Sequence, residues 1–202
     1  VYDDVIADLR ERHLAGRAIL PYPHPALRKL CVPVTRFDGL PALADLMLEV
    51  MDEANGVGLA APQVGLPWRL FVMRIKGRPW VVANPTVTPK SGRTRVENEG
   101  CLSLPGLYFP IRRPDTVMLE AVDATGRPYK TQLSGLAARC VQHETDHLNG
   151  NLFVDWLTAE QTGAHPYSAS PATDALEPFL RQYEPTNWPA VESLDTLRSL
   201  QV

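Results

Sequence analysis

Between residues 41 and 54 the apolar positions Leu43, Leu46, Met47, Val50, Met51 and Ala54 recur at steps of three and four. That is the stripe of an amphipathic helix, and Asn55-Gly56 supplies its stop. A second helix is predicted from near Gly135 to Asn149-Gly150, residue types that suit a left-handed cap. The first 16 residues place Val5, Ile6, Leu9 and His13 on one side of a shorter helix, and "LPYPHPALRKLCVPV" follows as an extended, proline-punctuated segment. Elsewhere the pattern is that of strands. The runs "RLFVMRI" (69–75), "WVVANPTV" (80–87) and "TVMLEAV" (116–122) read as short antiparallel strands, the last turned back by "DATGRP" into "YKTQL". Beyond Thr158 the chain shifts to proline, serine and short apolar stretches, with brief helices expected at 178–184 and 190–200. No internal repeat is present.

Length and composition narrow the picture. A chain of 202 residues, 45% of them apolar, suits one compact domain with a single well-buried core. The formal net charge of −3 and the scattered placement of the 20 basic residues give no footprint for direct nucleic-acid binding. No apolar run approaches the roughly 20 residues that cross a bilayer. The N-terminus is acidic and amphipathic where a signal peptide would be basic and then apolar, so no membrane partner and a cytoplasmic location are expected. Three cysteines, Cys31, Cys101 and Cys140, fit reduced thiols better than a disulfide framework, which frees at least one for chemistry.

The chemistry gathers in "VQHETDHLNG" (141–150). On a helix, positions i and i+4 lie on one face about 6 Å apart along the axis, so His143 and His147 can point at one ion with Glu144 beside it. Paired imidazoles suit Zn, Fe, Ni or Co, and this spacing favours a metal over two surface histidines. A third ligand is needed. Cys140 and His147 are separated by roughly 10 Å of helical rise, against metal–ligand bonds of about 2.0–2.3 Å, so Cys140 reads as a small buried hydrophobe under the site. Cys101, in "ENEGCLSLPG", is the better candidate, with the Pro105-Gly106 turn bringing its thiolate toward the helix. No CxxC completes a closed set, and an open coordination position means water and catalysis, with Glu144 placed to move protons. Asp146, on the far side of the helix from Glu144, is expected to pair with Arg113.

The glycine-rich stretch "GVGLAAPQVG" (56–65) lacks the Lys-Ser/Thr of a phosphate loop and follows a helix, so phosphate binding is set aside. Its Gln63 offers an amide N–H for a developing oxyanion, which suggests an acyl or peptide-like substrate. Taken together, "GVGLAAPQ", "EGCLS" and "QHETDHLNG", in that order, resemble the three signatures of peptide deformylases. The likeness extends through "YPHPALRKLCVPV", "ANP" (83–85) and "GNLFVDWL" (150–157). It implies an α+β fold of antiparallel sheets packed around the metal helix, with a catalytic domain at 18–158; the helical extension at 1–17 and the proline-rich acidic tail at 159–202 lie outside the likeness.

The activity implied by the resemblance is removal of the formyl group from the formyl-methionine that starts nascent polypeptides, releasing formate. Cys101, His143 and His147 would hold the metal, Fe²⁺ in the family's usual form with Zn²⁺, Ni²⁺ or Co²⁺ also accommodated. Glu144 would be the general base and acid, and Gln63 with the Leu102 backbone N–H would face the oxyanion. Val57, Gly58 and Gly100 would lie along the substrate backbone, with Cys140 and Arg139 at the methionine pocket, where Arg139 would add a polar rim. Tyr108 stands where some members carry an arginine that anchors substrate.

Two other functions fit part of the pattern. A zinc-dependent endopeptidase also uses His-Glu-x-x-His but takes its third ligand downstream, where the only later histidine is His165 in a proline-rich stretch. An inactive metal-binding module associated with the ribosome would not need Gln63, Cys101 and Glu144 together. The tail after Thr158 carries Glu160, Asp174, Glu177, Glu184, Glu192 and Asp195 against Arg181 and Arg198, so any transient ribosome contact is expected to be made elsewhere than through this acidic segment.

Overall fold

The unbroken apolar run Leu70–Met73 is explained by where its strand lies. The strand β2 (Leu70–Ile75) sits inside a sheet covered on both sides, so Leu70 and Val72 enter one core while Phe71 and Met73 enter another. The computed structural model of the chain describes residues 2–90 and 92–157, and the expected helices at 178–184 and 190–200 lie outside them.

The described elements are α1 (Tyr2–Leu14), α2 (Leu40–Glu53), β1 (Gly58–Ala60), β2, β3 (Arg78–Pro89), β4 (Thr94–Cys101), β5 (Leu104–Pro114), β6 (Thr116–Val122), β7 (Pro128–Ser134) and α3 (Gly135–Leu148). Five strands form an antiparallel sheet in the order β1-β2-β3-β6-β7, and β4 pairs with β5 in a separate hairpin inserted between β3 and β6. The fold is α+β, as the sequence pattern predicts.

On one side of the sheet α2 buries Leu43, Leu46, Met47, Val50 and Met51, the stripe read from the sequence. The helix α1 joins the same cluster through Tyr2, Val5 and Leu9, with the Tyr2 hydroxyl donating to the Arg36 carbonyl at 2.6 Å. The helix α1 therefore packs into the main core, not alongside it. On the other side α3 seals the sheet with Ala138, Val141 and Leu148. A third cluster, including Leu104, Ile111, Leu152 and Phe153, fixes the hairpin against the chain that follows α3.

Two strand features were not expected from the sequence. The stretch read as a glycine loop contains β1, a three-residue edge strand paired with β2. The hairpin β4–β5 was missed because β4 is mostly exposed and polar, and because Pro105, Pro110 and Pro114 interrupt β5. A two-stranded hairpin tolerates what a central strand does not, since its outer edges form no ladder. Asn84 in "ANP" lies at the irregularity between β3 and β6, with φ of 52°, and exchanges two 2.8 Å hydrogen bonds with Val34. It ties the N-terminal extended segment to the sheet.

Candidate active site

Three elements converge to build the site. The helix α3 is unusual in burying Arg139, Glu144, Asp146 and His147 along with its apolar residues. His143 and His147, one turn apart, stand with ring centroids 5.1 Å apart. Facing them is Cys101, at the end of β4. Between Gly100 and Cys101 the register of the hairpin shifts, from Gly100 opposite Tyr108 to Cys101 opposite Leu104. Such an irregularity re-aims a side chain. The turn itself is Leu102-Ser103, and Pro105-Gly106, expected to be the turn, falls instead in the irregular part of β5.

Sγ of Cys101 lies 3.3 Å from Nε2 of His147, and one donor atom from each of Cys101, His143 and His147 falls within 4.8 Å of the others. Donors bonded to one tetrahedral ion at about 2.0–2.3 Å sit roughly 3.3–3.8 Å apart, so these residues fit a metal with little movement. The electrostatics agree. Burial opposes a charge on His143, yet its hydrogen bonds with Cys101 and Glu99 and the nearby Glu144 carry its pKa well above the ordinary value. Burial, followed by repulsion from His143, Arg28 and Arg113, holds His147 well below it. The carboxylates of Glu99 and Glu144 that favour charge on His143 would favour a cation beside it, while Arg28 and Arg113 oppose one at His147. Cys140 takes no part in this set. It is buried, and burial followed by the charges of Glu144 and Glu99 pushes its thiol pKa well up, which keeps it neutral.

The sequence reading missed Glu99. Its Oε2 is 3.1 Å from Nδ1 of His143, so the carboxylate orients the imidazole and leaves Nε2 for the ion. Burial opposes ionisation of Glu99, but hydrogen bonds from His143 and Arg113 lower its pKa to about 2. Arg113 donates to both Glu99 oxygens at 2.9 Å and to Asp146 at 2.6 Å, the pair expected from the sequence. Arg139 donates to Glu99 at 2.6 Å, to Glu97 at 3.1 Å and to the carbonyls of Arg95 and Ile111. Hairpin and helix are thereby locked in one ionic network. The guanidinium of Arg139 is thus held in this network. No sequence signal marks Glu99: the register shift between Gly100 and Cys101 interrupts the two-residue alternation that would align it with Cys101. Replacing Glu99 by Gln should lower metal affinity about 10–100-fold with the fold retained, checked by metal titration.

Glu144 is buried, with Oε2 lacking a hydrogen-bond partner among the described residues. Burial raises its pKa to about 7. Gly58 is required beside it, because a Cβ there would strike Glu144 Oε1 and come within 2.8 Å of Cys140 Sγ. Gln63 is fully buried: its Oε1 accepts from the Ala60 N–H at 2.9 Å, and its Nε2 points at Ser103 Oγ (3.2 Å) and Cys101 Sγ (3.4 Å). A donor is therefore aimed at the metal side of the site. A cavity of about 470 Å³ opens here, lined by Val57, Gly58, Gln63, Gly100, Leu102, Tyr108, Arg139, Cys140, His143 and Glu144 among others. The Tyr108 ring lies over Gly100, where a Cβ would be 2.5 Å from it, and is largely exposed at the mouth. All the candidate residues except His147 thus border one space.

A thiolate and two imidazoles on a His-Glu-x-x-His helix, an unpaired carboxylate beside them and an amide donor across an apolar cleft define a metal-dependent amide hydrolase. The comparisons with known proteins make this specific. Residues 17–162 match the family described as polypeptide deformylase. The peptide deformylase of Rhodopirellula baltica is 45% identical over 149 residues, covering 71% of this chain and 74% of that one. That of Acinetobacter baumannii is 41% identical over 170 residues, covering 82% and 93%. The crystal structure of the Thermus thermophilus enzyme superposes with a TM-score of 0.75 at 41% identity, covering 83% of this chain and 96% of that one. Peptide deformylase 1B of Arabidopsis thaliana, solved with an inhibitor, gives 0.73 at 36% identity, covering 88% and 98%. The chain belongs to the peptide deformylase family, metal-dependent hydrolases that remove the N-formyl group from nascent peptides.

Proposed function

We propose that the chain deformylates formyl-methionyl N-termini with Glu144 as the proton-transfer group, Gln63 and the Leu102 N–H as oxyanion donors, and Cys101, His143 and His147 as the ligands of a divalent ion. The observation that carries the reading is the convergence of those three ligands beside an unpartnered buried carboxylate. A divalent ion held by Cys101, His143 and His147 would supply Lewis-acid polarisation of the formyl group and a lowered pKa for the attacking water. Glu144, raised toward neutrality by burial, takes the proton of the attacking water and delivers it to the leaving amine nitrogen. The amide of Gln63 donates to the oxygen on which charge develops. Val57, Gly58 and Gly100 flank the peptide backbone, and the methionine side chain enters the apolar part of the cavity near Cys140 and the aliphatic stem of Arg139.

Fe²⁺ is the ion we assign in the cell. The donor set also accommodates Zn²⁺, Ni²⁺ and Co²⁺. The ribosome-bound nascent chain supplies the substrate, and the acidic segment after Thr158 is not its docking element. The third ligand comes from Cys101 upstream, which argues against the endopeptidase reading, while His165 lies outside the described residues.

The direct test is formate release from a short formyl-methionyl peptide. The expected result is stoichiometric formate with no cleavage of the unformylated peptide. Cleavage of internal bonds would favour the endopeptidase, and metal binding without formate would favour the inactive module.

A further inference from the structure

We propose that Arg12, on a helix that precedes the family-matched residues, is a positioning residue for deformylation, holding the Gln63 loop so that its amide keeps its aim. The proposal rests on the oxyanion role of Gln63 argued above.

The guanidinium is buried and forked. Nη2 donates to the Val64 carbonyl at 3.0 Å, immediately after Gln63 in the chain, and Nη1 donates to the Ala18 carbonyl at 3.2 Å. Nε and Nη2 also hold Asp8 Oδ2 at 2.9 and 2.8 Å, which balances the charge. The segment that begins at Ala18 then runs across both loops of the site. The Leu20 N–H donates to the Gln63 carbonyl at 2.7 Å, and the Tyr22 N–H donates to the Ser103 carbonyl at 2.8 Å. Ser103 Oγ in turn accepts from Gln63 Nε2 at 3.2 Å. Arg12 thus ties together the strap at 18–22 and the loop whose side chain faces Cys101. The backbone carbonyls of Gln63 and Val64 are both fixed from outside the sheet, and the side-chain oxygen of Gln63 is fixed by Ala60. The amide Nε2, which donates to Ser103 Oγ and Cys101 Sγ, is thereby held facing the metal side of the site.

Arg12 is not what docks the helix. Tyr2, Val5 and Leu9 already seat α1 in the core, so an apolar replacement of Arg12 should fold. A lysine keeps the charge but not the planar fork, so it cannot reach Ala18, Val64 and Asp8 together.

The test is a double-mutant cycle on the metal-loaded full chain with a short formyl-methionyl peptide: Arg12→Met, Arg12→Lys, Gln63→Ala and Arg12→Met with Gln63→Ala. Arg12→Met should lower kcat about tenfold with KM and metal content unchanged, since small displacements of a positioned group carry such losses. Arg12→Lys should restore little of it. In the Gln63→Ala background, Arg12→Met should have no further effect. An equal fold-loss in both backgrounds, or a change confined to KM, overturns the role of Arg12 while leaving Gln63 in place. A Gln63→Ala enzyme with parental kcat overturns both the oxyanion assignment and this inference. If Arg12→Met does not fold, the same cycle run with Arg12→Lys decides by the same criteria.

Discussion

Glu144→Gln retains its metal and its fold but loses deformylation by about 10²–10⁴-fold, the usual cost of removing a general base. The two side chains have nearly the same shape, and the position is buried, so packing against Gly58 and Cys140 changes little. What disappears is the ability to hold a proton between its arrival from water and its departure to the amine. The measurement is kcat beside metal content on the same preparation. Turnover close to the parent at full occupancy would remove Glu144 from its assigned role.

Cys101→Ala should abolish stable metal binding together with activity, a loss larger than the roughly 10–100-fold that follows removal of a group that merely supports a ligand. The helix keeps only two donors, and the gap opens on the hairpin side where no other described group stands in. Metal analysis after gel filtration, and formate release with added Ni²⁺ or Co²⁺, check the expectation. The parent enzyme carrying Fe²⁺ should also decay in air faster than the Ni²⁺ form, since a metal-bound thiolate beside Fe²⁺ is open to oxidation. A Cys101→Ala protein that binds one ion tightly and turns over normally would refute the ligand assignment.

The parts legible in the sequence were those whose pattern is dictated by one strong demand. The stripe of α2 reports burial on one face, and the His143–Glu144–His147 spacing reports a single turn of α3. Gln63 and Cys101 were legible as chemistry, and their meeting follows once the hairpin is placed over the helix. The hairpin itself was not legible, because β4 is mostly exposed and polar, prolines interrupt β5, and the ion pairs that join it to α3 link residues far apart in the chain. Glu99 escaped for the same reason: a buried carboxylate is recognisable only when its partners, drawn from distant parts of the chain, are seen around it. The role of α1 was hidden too, since its pattern predicts a helix but says nothing of what the Arg12 fork reaches.

The ligands come from two separately built pieces, Cys101 from the hairpin and His147 from a helix 46 residues further along the chain. An ion joining them acts as a reversible crosslink, and because the unfolded chain presents no such trio, its binding free energy adds to that of folding. At free metal a hundredfold above Kd the gain is about 2.7 kcal/mol, so the melting temperature of this protein tracks metal supply. The loss on chelation stops short of collapse. Arg113 still bridges Glu99 to Asp146, and Arg139 still grips Glu99, so the hairpin stays seated on the helix with the donors held near one another. The apo form is then a standing template into which an ion can be returned without refolding.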